Sequence, residues 1–162
     1  FNAAWQATAA LALDFNAAYI DSTYRQYVTP EGIDVSGQAT GIPYWSFAAG
    51  AAYVWDLQER GSVRAALRYG YRGETRCSDE SQTQGTCGVS PALRLGESRE
   101  LANLRVGWTS ADNRYGVAVY GENLLDNQYV TGLGTYGKTV LGTVGARVSP
   151  PRVWGVEFSA GF

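Results

Sequence analysis

The sequence lacks several residues on which enzymes and metal sites usually depend. Its 162 residues include no histidine, no methionine and only two cysteines. Histidine is the usual general base near neutral pH and the commonest metal ligand, so its absence excludes a serine triad and argues against most enzymes. Two cysteines alone cannot close a structural zinc site. We therefore predict that the protein is not an enzyme and that it has no metal ligands and no cofactor.

Long hydrophobic runs and strong net charge are also missing. The longest apolar run, Phe47 to Trp55, is far shorter than the ~20 residues that a membrane-spanning helix needs. The net charge is −2 without a cluster of Lys and Arg, so nothing indicates nucleic-acid binding. A helical membrane protein is excluded, but a membrane β-barrel is not, because its alternating strands leave the mean hydropathy near zero. The sequence begins at Phe1 without a signal-like segment, so we expect a processed product or a piece of a longer protein.

What the sequence does contain is alternation with a period of two, which is typical of β-strands. Along Arg152 to Phe162, large apolar side chains occupy every second position, with mostly small or polar side chains between them. The same pattern occurs in Leu11 to Ser22, Tyr44 to Asp56, Ser62 to Gly73, Leu101 to Ser110 and Tyr115 to Glu122. Phe1 to Thr8 is interpreted as the tail of an earlier strand. The sequence thus predicts an all-β protein with six complete strands and part of a seventh.

The predicted strands have one charged face and one apolar face. In their central stretches, every charged residue falls on the parity opposite the large apolar residues: Asp14, Arg64, Arg68, Arg72, Arg105, Glu122 and Glu157. Tyr44 to Asp56 also has aromatic residues at both ends and small residues in the middle, as in a strand that crosses a bilayer between two interfaces. A soluble β-sandwich would show the same charge alternation, so that interpretation stays open.

The connections between the predicted strands alternate in length. Short turns at Thr8 to Ala10, Leu57 to Gly61 and Ala111 to Arg114 alternate with long connections at Val28 to Pro43, Glu74 to Arg99 and Val130 to Ser149. Outer-membrane barrels alternate short periplasmic turns and long extracellular loops in this way, whereas a Greek-key sandwich has no reason to do so. The pattern favours an antiparallel transmembrane β-barrel. We also expect a small hairpin around Thr139 to Val148.

Both cysteines, Cys77 and Cys87, lie in one polar connection, ten residues apart. This placement suits a local disulfide formed in an oxidising compartment. A free redox pair or a metal site is the alternative. If the carboxyl terminus lies in the periplasm, the three long connections, including the one with the cysteines, lie outside the cell.

Two motifs near the carboxyl end resemble those of TonB-dependent receptors, which are large outer-membrane transporters. That family typically shows Asn-Leu-Phe-Asp-x-x-Tyr and then, after a loop, Pro-Arg-x-x-Gly and a strand that ends in Phe. The matching residues are Asn123, Leu124, Asp126, Tyr129, Pro151, Arg152, Gly155 and Phe162. Leu125 departs from the pattern by replacing the usual Phe. The segments Tyr19 to Trp55 and Gly107 to Asp126 are also similar to the family, so the resemblance spans almost the whole chain.

The resemblance implies a fold and a domain assignment. The family's barrels have roughly 22 strands, with an amino-terminal plug domain. Residues 1–162 would then be the carboxyl-terminal part of such a barrel, its last ~7 strands, with the plug domain absent. The alternative is a complete outer-membrane barrel of about eight strands, in which Phe1 to Thr8 and a hairpin within Val130 to Ser149 each supply a strand.

The resemblance also implies a function in the outer membrane of a bacterial cell. The family carries out energised uptake of a scarce nutrient, most often a ferric siderophore. Implied partners are the remainder of the barrel and its plug domain, the TonB energising complex acting through the plug, outer-membrane lipid and the barrel assembly machinery. Phe158 and Phe162 would belong to the signal that this machinery reads. A small structural or adhesion barrel without transport and a secreted soluble β-sandwich are the alternative functions.

Candidate ligand-binding residues lie on the charged face and in the long connections. Positive charge on that face would attract an anionic ligand such as a ferric siderophore. Arg68 and Arg72 are the candidate contacts, and Arg72 lies nearest the predicted extracellular mouth. Tyr136 is a candidate for stacking on an aromatic ligand. Pairing of these arginines with the plug or with neighbouring strands is the alternative for the charges, and interface anchoring is the alternative for the tyrosine.

Overall fold

The computed structural model describes residues 1–83, 87, 95–134 and 145–161. Within these residues the chain forms nine β-strands, one 3-10 helix at Gln58–Arg60 and one short helix, α1, at Asp79–Thr83. The strands are β1 (Asn2–Gln6), β2 (Leu11–Tyr19), β3 (Trp45–Asp56), β4 (Ser62–Arg72), β5 (Arg99–Thr109), β6 (Tyr115–Glu122), β7 (Val130–Gly134), β8 (Gly145–Val148) and β9 (Val153–Ala160).

Seven of these strands form one antiparallel sheet in the order β1-β2-β3-β4-β5-β6-β9. The strands β7 and β8 pair separately as a two-stranded sheet. The predicted all-β class and the six complete strands with a shorter first one are confirmed. Strands β1 and β9 lie at opposite edges of the large sheet, so each presents one edge to whatever lies beside it.

Several element bounds differ from the sequence prediction. Strand β5 begins at Arg99 rather than Leu101, because Arg99 and Glu100 extend the ladder with β4. Strand β2 ends at Tyr19 rather than Ser22, and the long connection that follows contains the isolated bridge of Thr23 with Ala39. The hairpin expected around Thr139 to Val148 is formed by β7 and β8, so its first strand begins at Val130, and residues 135–144 lie outside the described residues.

The pleat of the sheet separates two faces, as the alternation predicted. Asp14 lies opposite Gly50, which lies opposite Arg68, and the same row continues to Asn103. Directly opposed residues in antiparallel strands point to the same side. The face that carries these residues is called the polar face, and it holds all the charges predicted to share it: Asp14, Arg64, Arg68, Arg72, Arg105, Glu122 and Glu157.

Glu100 is a charged residue on the opposite face of the sheet. That face is called the apolar face. Glu100 lies opposite Tyr71 at the loop end of β5, close to the side chain of Tyr69. The predicted strand began one residue later, so the alternation rule did not include this position. Its place near the end of the strand keeps this carboxylate away from the middle of the apolar face.

The apolar face is largely uncovered. Its exposed large side chains include Trp5, Phe15, Tyr19, Trp45, Trp55, Leu67, Val106, Tyr115, Val119, Trp154, Val156 and Phe158. Among the described residues, the buried hydrophobic ones are Val35, Cys87, Ala102 and Ala118, of which the first two belong to long connections. The sheet is therefore a single layer without an internal core, and its apolar face has to meet another apolar environment to be stable in water.

Gly155 is required by close packing in the polar face. It lies opposite Tyr120, and a Cβ atom added at Gly155 would overlap the phenol ring of that tyrosine. Gly70 occupies a strand interior on the same face, but no heavy atom lies within 4 Å of the corresponding position. Both glycines thus lie in strands on the polar face, but only Gly155 has a side chain packed where a Cβ atom would be.

We predict that Gly155→Ala lowers the free energy of unfolding by about 1–3 kcal/mol, because the new methyl group must displace the Tyr120 ring. Gly70→Ala is the matched control, and it should leave stability unchanged or raise it by up to about 1 kcal/mol, since alanine is less flexible when unfolded. Denaturant unfolding of the protein expressed from its own gene measures both. Equal effects at the two glycines would show that the Tyr120 contact does not constrain the fold.

Candidate functional site

The centre of the polar face contains a recess with a volume of about 480 Å³. Gly50, Ala52 and Ala66 have small side chains, which leave the space above this part of the sheet open. The charged side chains that line it are Asp14, Arg64, Arg68, Arg105, Glu122 and Glu157. The formal charges of these three arginines and three carboxylates cancel, so the recess is polar but has no net formal charge.

Two of the recess arginines lie beside carboxylates. Arg105 donates a hydrogen bond from its guanidinium to Glu157 at 2.9 Å, and this ion pair joins β5 to β9 across β6. Arg68, whose side chain is 78% exposed, lies 3.9 Å from the carboxylate of Asp14. An exposed ion pair with so long a distance between its charged atoms contributes little to the free energy of unfolding. Arg68 is therefore free to reach other partners, whereas Arg105 is held by Glu157.

The predicted ligand residue Arg72 lies apart from Arg68. It lines a separate recess of about 210 Å³ at the end of the sheet that carries the long connections, together with Arg99 and Tyr129. Four residues along a strand separate the two arginines by ~13 Å. The third candidate, Tyr136, lies outside the described residues. The sequence prediction missed Arg99 because it placed this residue in a connection rather than opposite Arg72 on β5.

A clamp formed by Arg76, which sequence analysis also missed, joins two of the long connections. Its guanidinium donates to Asp21 (2.8 Å), to the carbonyl oxygen of Ile42 (3.0 Å) and to that of Ser22 (3.0 Å). It also lies 3.8 Å from the centroid of the Tyr44 ring. Burial alone would lower the pKa of Arg76, but hydrogen bonds with Asp21 and Tyr44 raise the pKa above its ordinary value, so the clamp stays charged.

The predicted disulfide between Cys77 and Cys87 is present directly after this clamp, with a Cα–Cα distance of 5.6 Å. A second contact between the same two connections lies close by. The side chain of Gln38 donates to Asp79 at 2.7 Å and accepts from its backbone N–H at 2.7 Å. The Arg76 clamp and this pair fix residues 76–79 against residues 20–44, whereas the disulfide links two residues of the same connection.

The first of the two carboxyl-end motifs, which begins at Asn123, holds the chain where it leaves the sheet. The buried Asn123 side chain donates to the carbonyl oxygens of Asn127 and Pro150, each at 3.1 Å, and accepts from the backbone N–H of Asn127 at 3.0 Å. Its backbone N–H donates to the side chain of Asn103 at 2.9 Å, and its φ of 50° lies in the left-handed region. Asn tolerates that conformation better than most residues.

The second motif, which begins at Pro151, is tied to the first by its arginine. The backbone N–H of Arg152 donates to the Asp126 carboxylate at 2.9 Å, and its guanidinium donates to the carbonyl oxygen of Leu124 at 3.3 Å. Tyr129 and Ser149 exchange two further hydrogen bonds. The motif residues thus join the end of β6 to the start of β9, and their contacts are structural ones.

Aromatic residues form two bands on the apolar face. At the end with the long connections they are Tyr19, Trp45, Tyr71 and Trp154, and at the end with the short turns they are Trp5, Tyr53, Trp55, Trp108, Tyr115 and Phe158. The indole N–H of Trp108 donates to the carbonyl oxygen of Arg60 in a short turn, at 2.8 Å. Aromatic rings with a polar tip suit a boundary between apolar and aqueous surroundings.

Across residues 1–83, 87, 95–134 and 145–161, no group of three or more His, Cys, Asp or Glu side chains is placed to hold a metal ion. In that part of the chain no helix has the length and apolar character required to cross a membrane.

The comparisons with known proteins give one structural likeness. No protein-family model matches the sequence, and no curated protein matches it either. Among solved structures, the chain is similar to the ferric yersiniabactin uptake receptor FyuA from Yersinia pestis, with a TM-score of 0.68 and 18% identity. The match covers 99% of this chain and 22% of the receptor, so the chain spans about a fifth of that protein's length. The seven-stranded sheet therefore has the fold of one part of this receptor.

We predict that Asn123→Ala lowers the free energy of unfolding by about 2–4 kcal/mol, because it removes three hydrogen bonds between the buried Asn123 side chain and backbone groups of Asn127 and Pro150. Asn127→Ala is the control, since Asn127 contacts Asn123 through backbone atoms only, and its cost should stay below about 1 kcal/mol. Denaturant unfolding compares the two variants. If both cost the same, the Asn123 side chain does not hold the junction between β6 and β9.

Proposed function

We propose that residues 1–162 are the carboxyl-terminal part of the β-barrel of a TonB-dependent receptor in the bacterial outer membrane. Such a receptor takes up a scarce nutrient, and a ferric siderophore is the ligand class we propose. The observation that supports this most is a single-layer antiparallel sheet with an uncovered apolar face between two aromatic bands. The likeness in fold to a ferric yersiniabactin uptake receptor supports it further.

The apolar face has the height that a bilayer requires. Trp45 and Trp55 mark the two aromatic bands on β3 and are ten residues apart. Ten residues extend over ~33 Å along a strand, which becomes ~25 Å across the membrane at a tilt of ~40°. The apolar belt of outer-membrane barrels is about 25 Å tall. In this proposal lipid covers the apolar face, and the polar face lines a wet interior.

The edges of the sheet indicate what the rest of the protein has to supply. Unpaired backbone groups at a strand edge cost several kcal/mol each in lipid, so β1 and β9 both need neighbouring strands. We propose that the remainder of the barrel provides them. The plug domain would occupy the interior, with the TonB energising complex acting through it. Phe158, which is 79% exposed on the last strand, would contribute to the signal read by the barrel assembly machinery, as would Phe162, which lies outside the described residues.

Two alternatives have less support. A complete barrel of about eight strands would need the hairpin of β7 and β8 to join the large sheet. In the part of the chain that the structure describes, β7 and β8 instead form a separate two-stranded sheet, and Val130 of β7 also bridges to Leu95. A secreted soluble sandwich would need a second sheet over the apolar face. All five tryptophans lie in the two bands at the ends of that face, which suits two interfaces better than the middle of a sandwich core.

We predict that Ala49→Arg strongly reduces the amount of protein in the outer membrane, because an arginine on the lipid face near mid-depth costs about 2–4 kcal/mol. Ala48→Arg is the matched control on the adjacent residue of β3. It lies opposite Asn16 and Gly70 on the polar face, whereas Ala49 lies opposite Phe15 and Tyr69. The control variant should assemble at close to the normal level, as measured by immunoblotting of outer-membrane fractions.

A nitroxide spin label at each position separates lipid from a protein core. In the proposed barrel the label at position 49 is relaxed by dissolved oxygen, and the label at position 48 is relaxed by a water-soluble nickel complex. A label at position 49 that neither reagent relaxes would mean that protein covers the apolar face. That result, together with extraction into buffer without detergent, would contradict the membrane assignment.

Uptake itself is tested by deleting the gene and supplying iron-55 as ferric siderophores, with ferric yersiniabactin first and then catecholate and hydroxamate complexes. We expect the deletion strain to lose uptake of one complex and the intact gene to restore it. Arg68→Ala and Arg72→Ala should each reduce that uptake at unchanged protein levels if these arginines contact the ligand. Normal uptake of every complex in the deletion strain would count against a siderophore as the nutrient.

A further inference from the structure

Arg72 and Arg99 lie directly opposite each other on neighbouring strands β4 and β5. Opposed residues of an antiparallel pair share a face and have Cβ atoms only about 5 Å apart. Like charges in this arrangement destabilise a sheet. A pair of opposed arginines therefore calls for a compensating interaction.

Within the part of the chain that the structure describes, no carboxylate forms an ion pair with either arginine. Four other arginines do have such partners: Arg68 with Asp14, Arg76 with Asp21, Arg105 with Glu157 and Arg114 with Asp112. Glu97 also lines the recess and has contacts of its own. The two opposed guanidiniums thus keep an excess of positive charge at one place.

The recess around these arginines has the size and rigidity of a binding site. Its volume is about 210 Å³, well above the ~15 Å³ needed to hold one water molecule. The guanidinium of Arg99 lies 5.0 Å from the centroid of the Tyr129 ring, which holds it in place. Tyr129 is in turn fixed by the hydrogen bonds with Ser149. Arg72 and Arg99 are both half-buried, so an anion between them would be partly shielded from water.

We propose that Arg72 and Arg99 together bind an oxyanion group, a carboxylate or phosphate, carried by a small ligand at the loop end of the polar face. A guanidinium presents planar pairs of N–H donors that match these groups, and two guanidiniums can bind one oxyanion from two sides. The inference deepens the proposed function and rests on it only in requiring that the polar face be open to water. It assigns the anion to this pair rather than to the charge-balanced central recess.

The test uses the protein expressed from its own gene and purified in detergent. Citrate and inorganic phosphate are the probes, with sodium chloride at equal ionic strength as the reference. We expect isothermal titration calorimetry to detect binding of at least one probe and thermal unfolding to shift upward in its presence. Arg72→Gln and Arg99→Gln should each weaken that binding tenfold or more. Arg60→Gln removes the same charge in a short turn at the other end of the sheet, and it should leave binding unchanged.

The unfolding temperature without added anion separates a ligand site from a structural one. Each of the two variants should unfold at the same or a higher temperature than the unmodified protein, because the repulsion between opposed charges is relieved.

Two outcomes would overturn the proposal. One is binding that survives in both variants or falls equally in Arg60→Gln. The other is absence of probe binding with lower stability of both variants, which would mean that an acidic side chain of the same protein already occupies the pair. Calorimetry measures anion binding without transport, so the binding result stays valid even if the cells show no siderophore uptake.

Discussion

The pleat of a single antiparallel sheet is the constraint on which the other features of this protein depend. Each strand has to place alternate residues on opposite sides, and the ladder register aligns these sides across seven strands. Charges therefore collect on one face and large apolar side chains on the other. Since the sheet is one layer, neither face can bury itself against the other, and the hydrophobic effect has to be satisfied by something outside these strands. The exposed apolar side chains show which face needs apolar surroundings, and the charged recess lies on the opposite face.

This constraint also explains which features could be predicted from the sequence. Alternation is local, so the strands and their two faces were predicted before any pairing was known. Partners across the sheet depend on register, which a single sequence does not reveal. The Arg105–Glu157 pair joins residues 52 positions apart, and the Arg76–Asp21 pair joins residues 55 positions apart. Arg99 was missed for a related reason, because only its pairing with Arg72 shows that β5 begins there.

The carboxyl-terminal motifs were recognised as a resemblance, and the structure supplies their physical reason. Asn123 satisfies three backbone groups where the chain leaves β6, and Asp126 holds the backbone of Arg152 where it enters β9. Gly155 leaves room for the ring of Tyr120. Leu125, the position that departs from the family's pattern, is 51% exposed, so little packing depends on the side chain there. A motif that joins two strands tolerates variation outside its hydrogen bonds, which is why the departure does not disturb the junction.

The two ends of the sheet differ in how firmly their connections are built. The short turns need few contacts beyond the ladder, whereas the long connections are held by a disulfide, the Arg76 clamp and the Gln38–Asp79 pair. Ordering a long connection costs conformational entropy at every residue, so contacts of this kind have to compensate for it. A connection that only had to span two strands would not require them. Fixed connections around the opposed Arg72 and Arg99 are what a pre-organised ligand site needs, because the entropy is then lost on folding and not on binding. The oxyanion site proposed at Arg72 and Arg99 lies at the same end of the sheet as these fixed connections.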